Sequence, residues 1–209
     1  MSQKYLLPKM SDEEKQLFTN SDTLKSYTEL LNATNPSDLR HISETRGYLD
    51  VNHLPEKLDD IFTYTASIYI FVPNPEIDIG HWCLFTCIEE DDHKIVLEYF
   101  DPQRYFHPDK ESRTLGIPEP LIHLIENDGR EVQIHLCPIS TELQQYDTAS
   151  CGRWCILRQQ MLHLDIEHWF NFIINICDRS NISTEDLVDA FVCPVVGVLT
   201  HTKYNNKNQ

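Results

Sequence analysis

Gly80-His81-Trp82-Cys83-Leu84-Phe85-Thr86-Cys87-Ile88-Glu89 is followed, past an acidic turn, by Ile95-Val96-Leu97-Glu98-Tyr99-Phe100-Asp101-Pro102. Both runs are rich in β-branched and aromatic residues and are bounded by Gly, Pro or acids, so His81–Glu89 and Ile95–Phe100 are predicted strands. Glu89-Glu90-Asp91-Asp92 between them reads as a solvated hairpin tip. Ser67–Val72 upstream and Glu131–Cys137 downstream have the same character and complete four strands of one mixed sheet.

Further outward the periodicity becomes helical. Pro118–Asn127 carries Leu121, Ile122, Leu124 and Ile125 at helical spacing, and Asn127-Asp128-Gly129 ends it with turn chemistry. Past Ser150, helices are predicted over Cys151–His163, Ile166–Arg179 and Ser183–Phe191, the last opened by a capping signal at Ser183-Thr184-Glu185-Asp186. Toward the N-terminus, Ser11-Asp12-Glu13-Glu14 and Ser21-Asp22 read as helix starts, with Asn35-Pro36 closing the second. Helices, then a sheet, then helices make an α+β chain. It divides into a single domain over 1–202, helical over 1–60 with a core over 61–202, and a polar tail at 203–209.

The chain has 209 residues, 17 basic and 33 acidic, a formal charge of −16. At 41% apolar and 10% aromatic it is too rich in core-forming residues for a disordered chain. Phosphate binding needs Lys and Arg to displace counterions, so a nucleic-acid partner is disfavoured and a protein or basic peptide suits the charge better. Ile166–Cys177 is interrupted by Glu167, His168 and Asn171, too short and too polar for a membrane span, and Met1–Met10 lacks a signal-peptide core. Seven scattered cysteines suit reduced thiols, so an intracellular protein is expected, and a monomer is the starting assumption.

Thiol catalysis needs a sulfur that can ionise, an imidazole to exchange protons, and donors for a developing oxyanion. Cys151-Gly152 sits where a loop becomes a helix; the helix dipole favours the thiolate there, and Gly152 leaves room for a substrate. His81 follows Gly80 at the start of one strand and Asp101 ends the next, so the two strands can set imidazole and carboxylate side by side. Gln145, or Gln144 by one residue of register, can offer an uncharged amide, and Glu98 competes with Asp101 as the orienting acid.

The ordered set Gly80-His81-Trp82, Tyr99-Phe100-Asp101-Pro102 and Gln145-x5-Cys151-Gly152-x2-Cys155 resembles the cysteine proteases that join adenain-type viral processing proteases with SUMO- and NEDD8-specific proteases. The likeness runs from Arg46 to Met161, and Gly47-Tyr48-Leu49-Asp50-x3-Leu54-Pro55 is similar to a segment of the virophage and Polinton-type branch. It implies a papain-like variant fold with a central mixed sheet, His81 as general base, Asp101 as orienting acid, Cys151 as nucleophile and Gln145 as oxyanion donor. Trp82, with Gly80 and Gly152, would border a narrow cleft that admits glycine before the scissile bond. A compact chain of this kind is closest to viral maturation proteases that process virion precursors at Gly-x-Gly-type sites, in the host cytoplasm, viral factory or virion, with a basic peptide as possible activator. The other branch, deconjugation of ubiquitin-like modifiers, and a non-catalytic module that binds them, are the rival readings.

No cofactor or metal is expected. Cys83/Cys87 and Cys151/Cys155 have three-residue gaps that core positions on a strand and a helix explain equally well. Trp169, Phe170, Phe172, Ile173 and Ile176 are expected to pack in the core, and Cys155 to be buried and inert.

Overall fold

The computed structural model describes residues 45–62, 66–74, 80–103, 109, 116, 119–137, 143–145, 148 and 150–192. The helices expected from Ser11 and Ser21, and the polar tail, lie outside these residues. Five strands, β1 (Thr45–Asp50), β2 (Ser67–Pro73), β3 (Gly80–Glu90), β4 (Lys94–Phe100) and β5 (Glu131–Leu136), form one sheet in the order β1-β2-β3-β4-β5. The middle three are antiparallel, whereas β1 runs parallel to β2 and β5 parallel to β4. The fold is thus a mixed sheet flanked by helices.

Two elements depart from the sequence reading. β1 was expected to belong to the helical part. Its pairing with β2 is irregular between Thr45 and Tyr48 and Tyr48 is exposed, so it carries no alternating apolar signal. Ile61, read as the start of strand-like composition, instead lies in the short helix α1 (Leu58–Phe62), which buries Leu58, Ile61 and Phe62 at i, i+3 and i+4.

Helix α2 (Pro120–Glu126) stands where expected and stops at Asn127, with Gly129 supplying the positive φ of 85° that its turn needs. The hairpin tip is exposed, and Asp91 Oδ1 accepts the N–H groups of His93 and Lys94 at 2.7 and 2.8 Å. Helix α3 (Cys151–Gln160) is followed by α4 (Ile166–Ser180), which Asp165 caps by accepting the His168 N–H and Asn181 ends at φ 52°. The last helix among the described residues, α5 (184–192), opens with Ser183 Oγ accepting the Asp186 N–H at 3.0 Å.

The sheet separates two cores. On one side Trp82, Leu84 and Phe100 pack with α3, α4 and α5; on the other Ile70, Phe85, Tyr99 and Leu97 pack with α1 and α2. Trp169, Phe170 and Ile173 are buried as expected, but Phe172 is 40% exposed, because α4 is amphipathic rather than apolar all round.

Nearly all of α3 is buried, polar residues included, and these anchor it to the sheet. Arg158 Nε and Nη2 each donate to the Glu98 carboxylate at 2.7 Å, while Nη1 and Nη2 also donate to the Met161 and Leu164 carbonyls. Gln159 accepts the Tyr69 hydroxyl proton and donates to Ser67 Oγ. These bonds cross from α3 to β2 and β4 and tie the helix to the sheet.

Candidate active site

β3 and β4 bring the imidazole and the carboxylate together by their register. Leu84 pairs with Phe100, and continuing the ladder puts Cys83 opposite Asp101 and His81 two residues along the same face. His81 Nε2 lies 2.9 Å from Asp101 Oδ1, with both side chains buried. Asp101 Oδ1 also accepts the Gln103 N–H at 2.8 Å, and Oδ2 accepts the Cys83 thiol proton at 3.3 Å. The Tyr99 hydroxyl lies 3.0 Å from Cys83 Sγ and 3.4 Å from Oδ2, its one proton shared between them. Asp101 is therefore held on every side by donors.

The other side of the ring meets the thiol: His81 and Cys151 are in side-chain hydrogen-bond contact. With Nε2 committed to Asp101, Nδ1 is the nitrogen left for the sulfur. Burial of the ring disfavours its charge, but the Asp101 carboxylate and the hydrogen bonds to Asp101 and Cys151 outweigh it and raise the His81 pKa well above 6.5. Burial, with Asp101 beside it, pushes the Cys83 thiol up to about 12, so at neutral pH it is a donor and not an anion.

Cys151 is the first residue of α3 and is 5% exposed. Ser150, at the N-cap position, makes no side-chain cap bond to the helix. The first-turn N–H groups thus lack the partner that a serine there usually supplies, at the positive end of the dipole.

The remaining expected residues fall as follows. Glu98, the rival acid, is bound to Arg158. Gln145 is exposed and its backbone N–H is held by Glu185 at 3.0 Å. Gln144 is 2% exposed; its amide donates to the Thr148 carbonyl at 2.6 Å and its backbone N–H to the Pro102 carbonyl, next to Asp101. Gly152 is buried in the first turn of α3.

Trp82 is 3% exposed, with its ring centroid 4.6 Å from that of Phe71 and 5.4 Å from that of Tyr48. Little of it is left to border a cleft, and the exposed ring of this stack is Tyr48. Gly80 is explained by packing: a Cβ there would come within 2.7 Å of the Val72 carbonyl and closer still to the Phe71 ring. Cys155 is buried one turn past Cys151, donates to the Trp82 carbonyl at 3.4 Å, and burial raises its pKa well above the usual range.

The donor atoms of His81, Cys83 and Asp101 lie within 4.8 Å of one another, a cluster that the Cys-pair reading did not foresee. In this arrangement they are joined to each other by hydrogen bonds. Tyr99 and Cys83 were legible as partners of Asp101, since each lies two residues from a member of the pair on its own strand. Glu185 carried no such signal.

No helix among the described residues is long and apolar enough to cross a membrane. No family model matches the chain. The chain is similar to the uncharacterized protein V9 of Sputnik virophage, 25% identical over 151 residues that cover 64% of this chain and 77% of V9. That likeness points to a viral origin and carries no activity with it.

Proposed function

We propose that this chain is a cysteine endopeptidase of the adenain-like type, with a papain-like variant fold and a Cys151-His81-Asp101 triad. The observation that carries the reading is the continuous buried chain from Asp101 through His81 to Cys151, ending at the uncapped N-terminus of α3. His81 takes the Cys151 proton, and the sulfur bonds to the peptide carbonyl carbon as the C=O π electrons move onto oxygen. The Cys151 backbone N–H and the Gln145 amide hold that oxyanion, while Gln144 braces the loop. The oxyanion collapses, the C–N bond breaks, and His81 gives its proton to the leaving amine. Water, deprotonated by His81, then attacks the thioester and releases the acid and the thiol.

The virophage relative supports a viral origin, and the resemblance to adenain-type proteases makes the role a processing one, in which virion precursors are cut after small residues. A narrow approach fits glycine, since Cys151 and His81 are only 5% and 6% exposed. Intact-mass labelling of wild type and Cys151→Ala tests the reading with two electrophilic probes. One is a short peptide ending in Gly-x-Gly and the other a folded ubiquitin-like protein ending in Gly-Gly. Rapid Cys151-dependent capture of the short peptide is expected; capture of the folded modifier alone moves the chain to the deconjugating branch. Full cleavage of substrate by Cys151→Ala overturns both.

A further inference from the structure

Helix α5 lies beyond the motif set, yet its Glu185 reaches back to the loop that leads into Cys151. One oxygen, Oε1, is approached by three groups of that loop: the Gln145 N–H at 3.0 Å, Thr148 Oγ1 at 2.8 Å and Ser150 Oγ at 2.8 Å. The Thr148 hydroxyl also lies 2.9 Å from the Gln145 carbonyl, one proton between two acceptors. The other oxygen, Oε2, stands 3.7 Å from Nη2 of Arg153, which is 3% exposed on α3 two residues past Cys151. Arg153 Nη1 is 3.2 Å from Asp189, one turn further along α5.

A carboxylate oxygen is suited to gather several donors at once, and charge-assisted bonds of this length are the strong ones. The Ser150 hydroxyl makes no cap bond to α3 and is drawn to Glu185 instead; its backbone, at φ −98° and ψ 1°, is outside the extended conformation of an N-cap serine.

We propose that Glu185 is a positioning residue for the oxyanion site: it gathers Gln145, Thr148 and Ser150 on one carboxylate oxygen and so fixes the loop that leads into Cys151. This rests on the reading of Cys151 as nucleophile. Glu185→Ala is expected to lower peptide turnover about 10- to 100-fold, below the 10²–10³ that follows outright loss of an oxyanion donor. Glu185→Gln, which keeps an acceptor oxygen, should lose less.

Iodoacetamide alkylation of Cys151 builds no oxyanion and reads the nucleophile alone. Its rate should stay within about 3-fold of wild type in Glu185→Ala. Unchanged turnover, or turnover and alkylation falling together, overturns the proposal. Amide exchange at Gln145 reads the clamp with no substrate: slow in wild type and faster in Glu185→Ala is expected, and equal rates overturn it. If the wild type neither cleaves nor is captured, the protease reading fails while the exchange result still decides the clamp.

Discussion

The two halves of the candidate site are held in opposite ways. His81 and Asp101 sit on paired strands, where the residues that fix them, Cys83 and Tyr99, are two positions away on the same strands. The glutamine loop and Cys151 are instead tied down by Glu185, about forty residues along the chain and on another helix. The proton-transfer half is thus a local product of sheet register, and the oxyanion half depends on tertiary packing. Damage to the first should show in protonation behaviour. Damage to the second should show in turnover without disturbing the thiol.

The largest effect is expected from Cys151→Ser or His81→Ala, which should cut turnover by at least about 10³-fold, because members of a catalytic unit fail together. Peptide hydrolysis followed in single turnover checks this, and a loss under tenfold breaks the comparison at its root. Next, Gln145→Ala should cost about 10²–10³ and Gln144→Ala less, with Cys151 alkylation preserved in both. A reversed order assigns the donor role to the buried glutamine and makes Gln145 the brace.

Asp101→Asn should cost about 10- to 100-fold and, more tellingly, move the pH profile. Asp101 raises the His81 pKa, so the imidazolium that protonates the leaving amine survives to higher pH in the wild type. Losing the carboxylate should bring the alkaline limb of peptide turnover to lower pH. The same linkage contributes stability that is fully present below the ordinary histidine pKa of about 6.5 and fades as pH rises through the higher folded value. Unfolding midpoints against pH should lose that slope in the variant.

Glu98→Ala should affect activity per folded molecule least. It leaves the buried Arg158 without its carboxylate, which costs about 3–5 kcal/mol of stability. Denaturant unfolding reads this directly. A large activity loss in the fully folded fraction would show that the anchor of α3, and not the strand register, sets the His81–Cys151 contact.

What the sequence made legible follows the same division. Strands β2 to β5, helix α2 and the His81–Asp101 pairing could be read because β-branched and aromatic runs and their bounding turns are local signals. β1 could not, since an irregularly paired strand with exposed Tyr48 has no apolar alternation. Trp82 looked like a cleft residue from its place beside His81. The twist that covers it with Tyr48 and Phe71 comes from β1 and β2, which motif spacing does not encode. Glu98 and Asp101 look alike in the sequence; in space Glu98 is bound to Arg158, sixty residues along the chain, and Asp101 lies against His81. Glu185 was read only as part of a helix cap, because nothing local distinguishes an acid in a first turn from one that reaches another element.

The sulfur chemistry of the folded chain is far sparser than its cysteine content. Burial, with Asp101 near one and Glu98 near the other, lifts Cys83 and Cys137 to about 12. At pH 7 both thiols are therefore held in the protonated form. Toward an electrophile or peroxide these atoms behave as inert filling, since the thiolate is the species that reacts. A reagent that consumes thiolates would spare both.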